Sequence, residues 1–109
     1  MKRAHPYSPL TVEAARLLGN RVRLARRERR WTLQELADRV GVSRITMRKV
    51  EGGDLTVGLG VAFEAAAILG VPLFDGDRSR RRLEAARIDD RLAVLPKTVR
   101  KRVDVNDDF

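Results

Sequence analysis

Side chains able to carry covalent or acid–base chemistry are scarce in this chain of 109 residues. There is one histidine, His5, close to the N-terminus, and no cysteine. No serine–histidine pair and no metal-ligand cluster can be assembled from such a set. Asp89 and Asp90 are adjacent and so diverge on a helix, which rules them out as an acid/base couple. Gly58-Leu59-Gly60 lacks the third glycine of a dinucleotide loop, because Phe63 stands there and no strand precedes it. An enzyme is therefore not expected, and neither is a cofactor or a metal. The abundant functional group is the guanidinium. Lys and Arg number 23 against 15 Asp and Glu, for a formal charge of +8. The chemistry this offers is charge-assisted hydrogen bonding to a polyanion, nucleic acid before membrane.

The charge is uneven. Residues 1–53 carry +8, residues 54–77 carry −4, residues 78–103 carry +7 and residues 104–109 carry −3. Within the first block, Arg44, Arg48 and Lys49 fall in a run whose pattern also specifies how they are held. Thr32 is a good N-cap and Glu35 completes a capping box. Leu33, Leu36, Ala37 and Val40 then share one helical face. Gly41 suits the left-handed residue that stops a helix. Ser43 is a second N-cap, so a new helix starts at once, with Met47 and Val50 inward and Arg44, Thr46, Arg48 and Lys49 on other faces. Two short helices joined by so tight a turn must cross steeply and leave the second standing out. This is the sequence form of a helix-turn-helix.

The stretch from Leu18 to about Leu73 resembles the Xre/Cro-type DNA-binding domain of phage repressors and many bacterial regulators. The matching pieces are Gly19 to Arg26, Trp31 to Ala37, Gly41 to Gly53, and the pattern L-x-x-A-F-x-x-A-x-I-L-G-V from Leu59 to Val71. The fold this implies is all-α: a lambda-repressor-like five-helix DNA-binding domain over residues 8–76, preceded by a flexible arm over 1–7. A C-terminal helix over 77–95 and a flexible tail over 96–109 would follow.

The resemblance also implies roles. The second helix of the motif would enter the major groove, with Arg44, Ile45 and Lys49 on base edges: arginine and lysine toward guanine, isoleucine toward a thymine methyl. Thr32, Gln34, Ser43, Thr46 and Arg48 would contact phosphates. Leu33 stands where family members often carry glutamine, and Gly58 replaces a polar cap common at the start of the fourth helix; both departures take support from phosphate contacts. Arg26 and Glu51 occupy positions that pair in similar domains and would set the angle of the reading helix. One such domain neutralises few phosphates. A homodimer on an inverted-repeat operator in double-stranded DNA is therefore expected, with half-sites roughly 34 Å apart. Its contact is expected after residue 55, from Leu55, Val71, Leu73, Phe74, Ile88 and Leu92.

The rest of the chain reads as follows. Ser8-Pro9 opens a first helix to about Arg29, with a stripe of Leu10, Ala14, Leu18, Val22 and Ala25; Gly19-Asn20 predicts a kink or break in it. Trp31 reads as a lid on the core. The fourth helix, from Gly58 to Leu69, is apolar nearly all round and is expected to be buried on more than one side. Pro72 to Phe74 reads as a short turn of helix. Asp77 caps a helix to about Val94 in which Ala85, Ile88, Leu92 and Leu95 form a seam one partner helix wide. That seam either packs on its own domain or pairs with a second copy. Pro96 ends the helix.

The tail from Arg91 to Phe109 resembles that of HipB-type antitoxins, which repress their own operon and hold a kinase-like toxin. By that resemblance Lys97, Arg100, Asp107, Asp108 and Phe109 would bind a HipA-like kinase toxin. A stand-alone regulator without such a partner is the alternative, and a non-specific nucleic-acid binder is a further one. No apolar run is long enough to span a membrane, and no signal peptide opens the chain. A cytoplasmic, nucleoid-associated protein is expected.

Overall fold

The computed structural model describes residues 6–101. Among these residues five helices follow one another: α1 Pro9–Glu28, α2 Leu33–Val40, α3 Arg44–Glu51, α4 Leu59–Ile68 and α5 Arg78–Val94. Among the described residues there is no strand. The all-α class and the helix-turn-helix at α2–α3 are those expected. The chain divides into two compact units between Leu73 and Phe74. The first holds α1 to α4, and the second holds α5.

Local chemistry sets the helix ends. Ser8 caps α1 and accepts a bond from the Thr11 amide, with Pro9 in the first turn. Thr32 accepts from the Glu35 amide at 3.0 Å while the Glu35 carboxylate accepts from the Thr32 amide at 3.5 Å, a reciprocal cap on α2. Ser43 accepts from the Thr46 amide at 3.1 Å and starts α3. The first four helices all finish alike. A residue with positive φ follows each, and the next amide bonds back five residues: Trp31 to Arg26, Val42 to Ala37, Asp54 to Lys49 and Val71 to Ala66. Glycine supplies the left-handed residue at 41, 53 and 70, whereas Arg30 supplies it after α1 with φ 59°.

Val22, Leu36, Ala37, Met47, Val50, Ala65, Ala66, Leu69 and Val71 form the core. Both α3 and α4 pack on α1 and α2. Met47 is wholly buried, so α3 is anchored by one face and free on the other.

Four expectations are corrected. Gly19 does not break α1, which runs unbroken through it. It is glycine because α3 arrives there: a Cβ at Gly19 would lie 2.6 Å from the carbonyl oxygens of both Val50 and Glu51. The core stripe of α1 begins later than the pattern suggests, since Leu10 and Ala14 are exposed and Leu18, Val22 and Ala25 meet the core. Helix α4 is buried along one side only; Ala65 and Ala66 are inside, while Leu59, Gly60, Glu64 and Ala67 are exposed. Pro72 to Phe74 forms bends rather than a helical turn, and Phe74 sits at φ 62°. A left-handed residue cannot continue a right-handed helix.

Candidate nucleic-acid interface

Helix α3 is held at its C-terminal end, through three contacts with α1. The first is the close approach at Gly19. The second is Glu51, which is only 4 % exposed. Its carboxylate accepts from Arg26 Nε at 2.6 Å and from Arg26 Nη2 at 3.0 Å, a two-pronged pair with fixed geometry. The hydrogen bond to Glu51 raises the Arg26 guanidinium above its ordinary value, burial opposing it and the Glu51 charge assisting. Arg26 Nη1 also donates to the Trp31 carbonyl at 2.9 Å, tying the corner between α1 and α2 to the same pair. The third contact is Arg23, whose Nη2 donates to the Glu51 carbonyl at 3.1 Å and whose Nε lies 3.6 Å from its carboxylate. A guanidinium there also meets the negative end of the α3 dipole.

The outward side of α3 faces solvent along its length. Arg44, Ile45, Arg48 and Lys49 are exposed and Thr46 is half-buried. Arg48 and Lys49 lie in the last turn, where a cation favours the helix. Arg44 has no such reason. It begins the helix, at the positive end of the dipole, and the first turn holds no acid. Ile45 beside it is 64 % exposed. A cation that opposes its own helix and an isoleucine in water are both costs, and an anionic, methyl-bearing surface would relieve both.

The expected backbone-contacting residues are partly engaged already. Thr32 Oγ1 donates to Glu35 Oε1 at 3.3 Å besides its capping bond. Gln34 Nε2 donates to Asp38 Oδ1 at 2.8 Å. Ser43 Oγ and Thr46 Oγ1 are 3.0 Å apart. All four lie on or beside the two motif helices. Of the residues expected at a dimer contact, Val71 is corrected: it is 9 % exposed and packed in its own core, so it has little surface to offer a second chain. Leu73 packs partly against that core. Leu55 is half-buried on the rim of a depression of about 210 Å³ with Ala15, Leu18 and Leu59. Phe74, Ile88 and Leu92 are exposed. Lys97 and Arg100 are exposed outside any helix, while Asp107, Asp108 and Phe109 lie outside the described residues.

Sequence reasoning missed three residues that position the motif. Arg23 is one; it lies three positions before Arg26 and so on the same side of α1. Arg29 is another, donating to the Ile68 and Leu69 carbonyls at 3.1 Å each and thereby closing the end of α4 onto α1. The third is Arg39, whose guanidinium lies 4.0 Å from the Trp31 ring centre, with Arg29 at 5.2 Å. Trp31 packs half-buried against the core, as expected, and two guanidiniums stand over its ring.

Two capped helices joined through the left-handed Gly41, the second anchored by its inner face and its C-terminal end, define a helix-turn-helix module. The chain belongs to the helix-turn-helix domain family, whose model matches residues 17–83, more than half of its length. No curated protein and no solved structure matches the chain. Among the described residues there is no group of three or more metal-binding side chains, and no helix is long and apolar enough to cross a membrane.

Proposed function

We propose that this chain is an Xre-type, sequence-specific transcriptional repressor that reads the major groove of double-stranded DNA with α3. Arg44, Ile45 and Lys49 meet base edges. Thr32, Gln34, Ser43, Thr46 and Arg48 meet the phosphates on either side, and Arg26 with Glu51 sets the pitch of the rod. Two copies bind an inverted-repeat operator. The observation that carries this is Arg44, a cation at the wrong end of its own helix beside an exposed isoleucine, with both side chains outside the core. The reading places the protein in the cytoplasm on the nucleoid. Footprinting of the promoter upstream of its own gene tests it. A protected inverted repeat, with affinity over random duplex of at least a thousandfold or so, is expected; equal affinity for both would leave only a non-specific binder.

A narrower form of the proposal makes the chain the antitoxin of a type II toxin–antitoxin operon, holding a HipA-like kinase toxin by its tail. What supports it is the basic run from Lys97 to Arg102 followed by Asp104, Asp107, Asp108 and Phe109. Co-purification of a kinase-like product of the neighbouring gene, lost on removing residues 97–109, is the expected result; a stand-alone regulator would bring down none.

A further inference from the structure

Helix α5 is 17 residues long and has no buried residue. Helices in water draw most of their stability from packing an apolar face, and this one leaves Ile88 and Leu92 about half exposed or more. With Ala85 they form the only uninterrupted apolar row of the helix. The alternative row through Leu83 and Val94 is broken by Arg87 and Asp90. Beside the first row is a groove of about 250 Å³ lined by Phe74, Arg81, Glu84, Ala85 and Ile88. Residues 81, 84, 85 and 88 are the four corners of a knobs-into-holes socket on one helix face. Phe74 forms one wall, 83 % exposed and held at φ 62°, two costs with no return among the described residues.

The charges beside the row identify what fills the socket. Arg82 has no acid three or four positions away, Asp89 has no base at those positions, and Arg91 has no acid there. Among the described residues, none of Arg82, Glu84, Asp89 and Arg91 forms an ion pair. We propose that α5 pairs antiparallel with α5 of a second copy, the Ile88 side chain of each entering the socket of the other. In that register Ala85 faces Ile88 across the two-fold axis and Arg81 faces Leu92, its stem lying along the leucine. Arg82 then flanks Asp89 of the other copy, and Glu84 flanks Arg91, each pair occurring twice. Parallel pairing would instead set Glu84 against Asp89. The small Ala85 lets the helices approach closely at the axis. The proposal rests on the reading of the chain as a two-copy reader of DNA and supplies its second contact surface.

Sedimentation of the full chain without DNA tests this apart from DNA recognition. Arg82→Asp and Asp89→Arg are made singly and together, with helix content checked by circular dichroism. The wild type is expected to be a dimer. Each single change turns two attractions into two repulsions and is expected to weaken dimerisation roughly tenfold. The double change restores it, which no effect within one helix can do, since positions 82 and 89 are two turns apart. A monomeric wild type, single changes without effect, or a double variant as weak as the singles would each overturn the proposal. Footprinting results do not bear on these outcomes, so either reading can fail alone.

Discussion

Arg26 reaches Glu51 with two nitrogens, at 2.6 and 3.0 Å, and in doing so ties the first helix to the last residue of the third. Both side chains have left water almost completely, at 11 % and 4 % exposed. Such a pair adds little net stability compared with apolar substitutes, but removing one partner strands a buried charge. Glu51→Leu is therefore expected to cost about 3–5 kcal/mol. Arg26→Met with Glu51→Leu should cost clearly less than the sum of the singles. Urea unfolding of the four members of the cycle measures the coupling.

Two glycines separate close approach from helix propensity. Gly19→Ala drives a methyl into the Val50 and Glu51 carbonyls, so α3 must shift away from α1. A loss of about 1–3 kcal/mol is expected, with weakened operator binding. Gly60→Ala, at an exposed helical site with nothing within 4 Å, should gain roughly 0.5–1 kcal/mol. Thermal unfolding of both variants decides: destabilisation by the first and stabilisation by the second is the expected pair.

Arg30 is the left-handed residue after α1, in a position that glycine fills after α2, α3 and α4. A side chain in that region is strained by about 1 kcal/mol. Arg30→Gly should raise stability by roughly 0.5–1 kcal/mol. A lower melting temperature for this variant would show that the arginine side chain contributes more than its backbone costs.

Asp54 follows α3, and bonds from the Thr56 hydroxyl and then the Thr56 amide hold its carboxyl below the usual carboxylate value, Lys49 assisting and desolvation opposing. A carboxyl depressed in the folded state favours folding at pH values above its unfolded pKa, about 3.9. That contribution fades as the pH falls through the folded value. The stability difference between wild type and Asp54→Asn should thus be constant near neutrality and shrink in acid. Chemical unfolding at a series of pH values reads it; a difference that grew in acid would reverse the sign.

The motif was legible because its signals are local. Thr32 with Glu35, Gly41, and Ser43 with Thr46 each act within one turn of chain, so type and spacing suffice to place α2 and α3. Gly19 was not legible, since its purpose is a carbonyl on a helix distant in sequence, and a glycine alone reads as a weak point. For α4, a run of alanine and glycine does not say which side is covered. Nothing in Pro72-Leu73-Phe74 announces a left-handed phenylalanine. Arginine is the hardest residue to read: Arg23 and Arg29 end on carbonyls of α3 and α4, Arg39 ends on a ring, and Arg44 ends in solvent, yet all four look alike as letters.

Exposed Arg44 and Lys49 carry the account of groove reading, and their joint replacement by alanine is the most direct test. Affinity for the footprinted operator and for a scrambled duplex would be compared at one salt concentration, after confirming that the variant melts like the wild type. Losing two base contacts at about 1–3 kcal/mol each should cut the preference for the operator at least tenfold. An operator preference equal to that of the wild type would contradict the reading of α3 as the element that recognises bases.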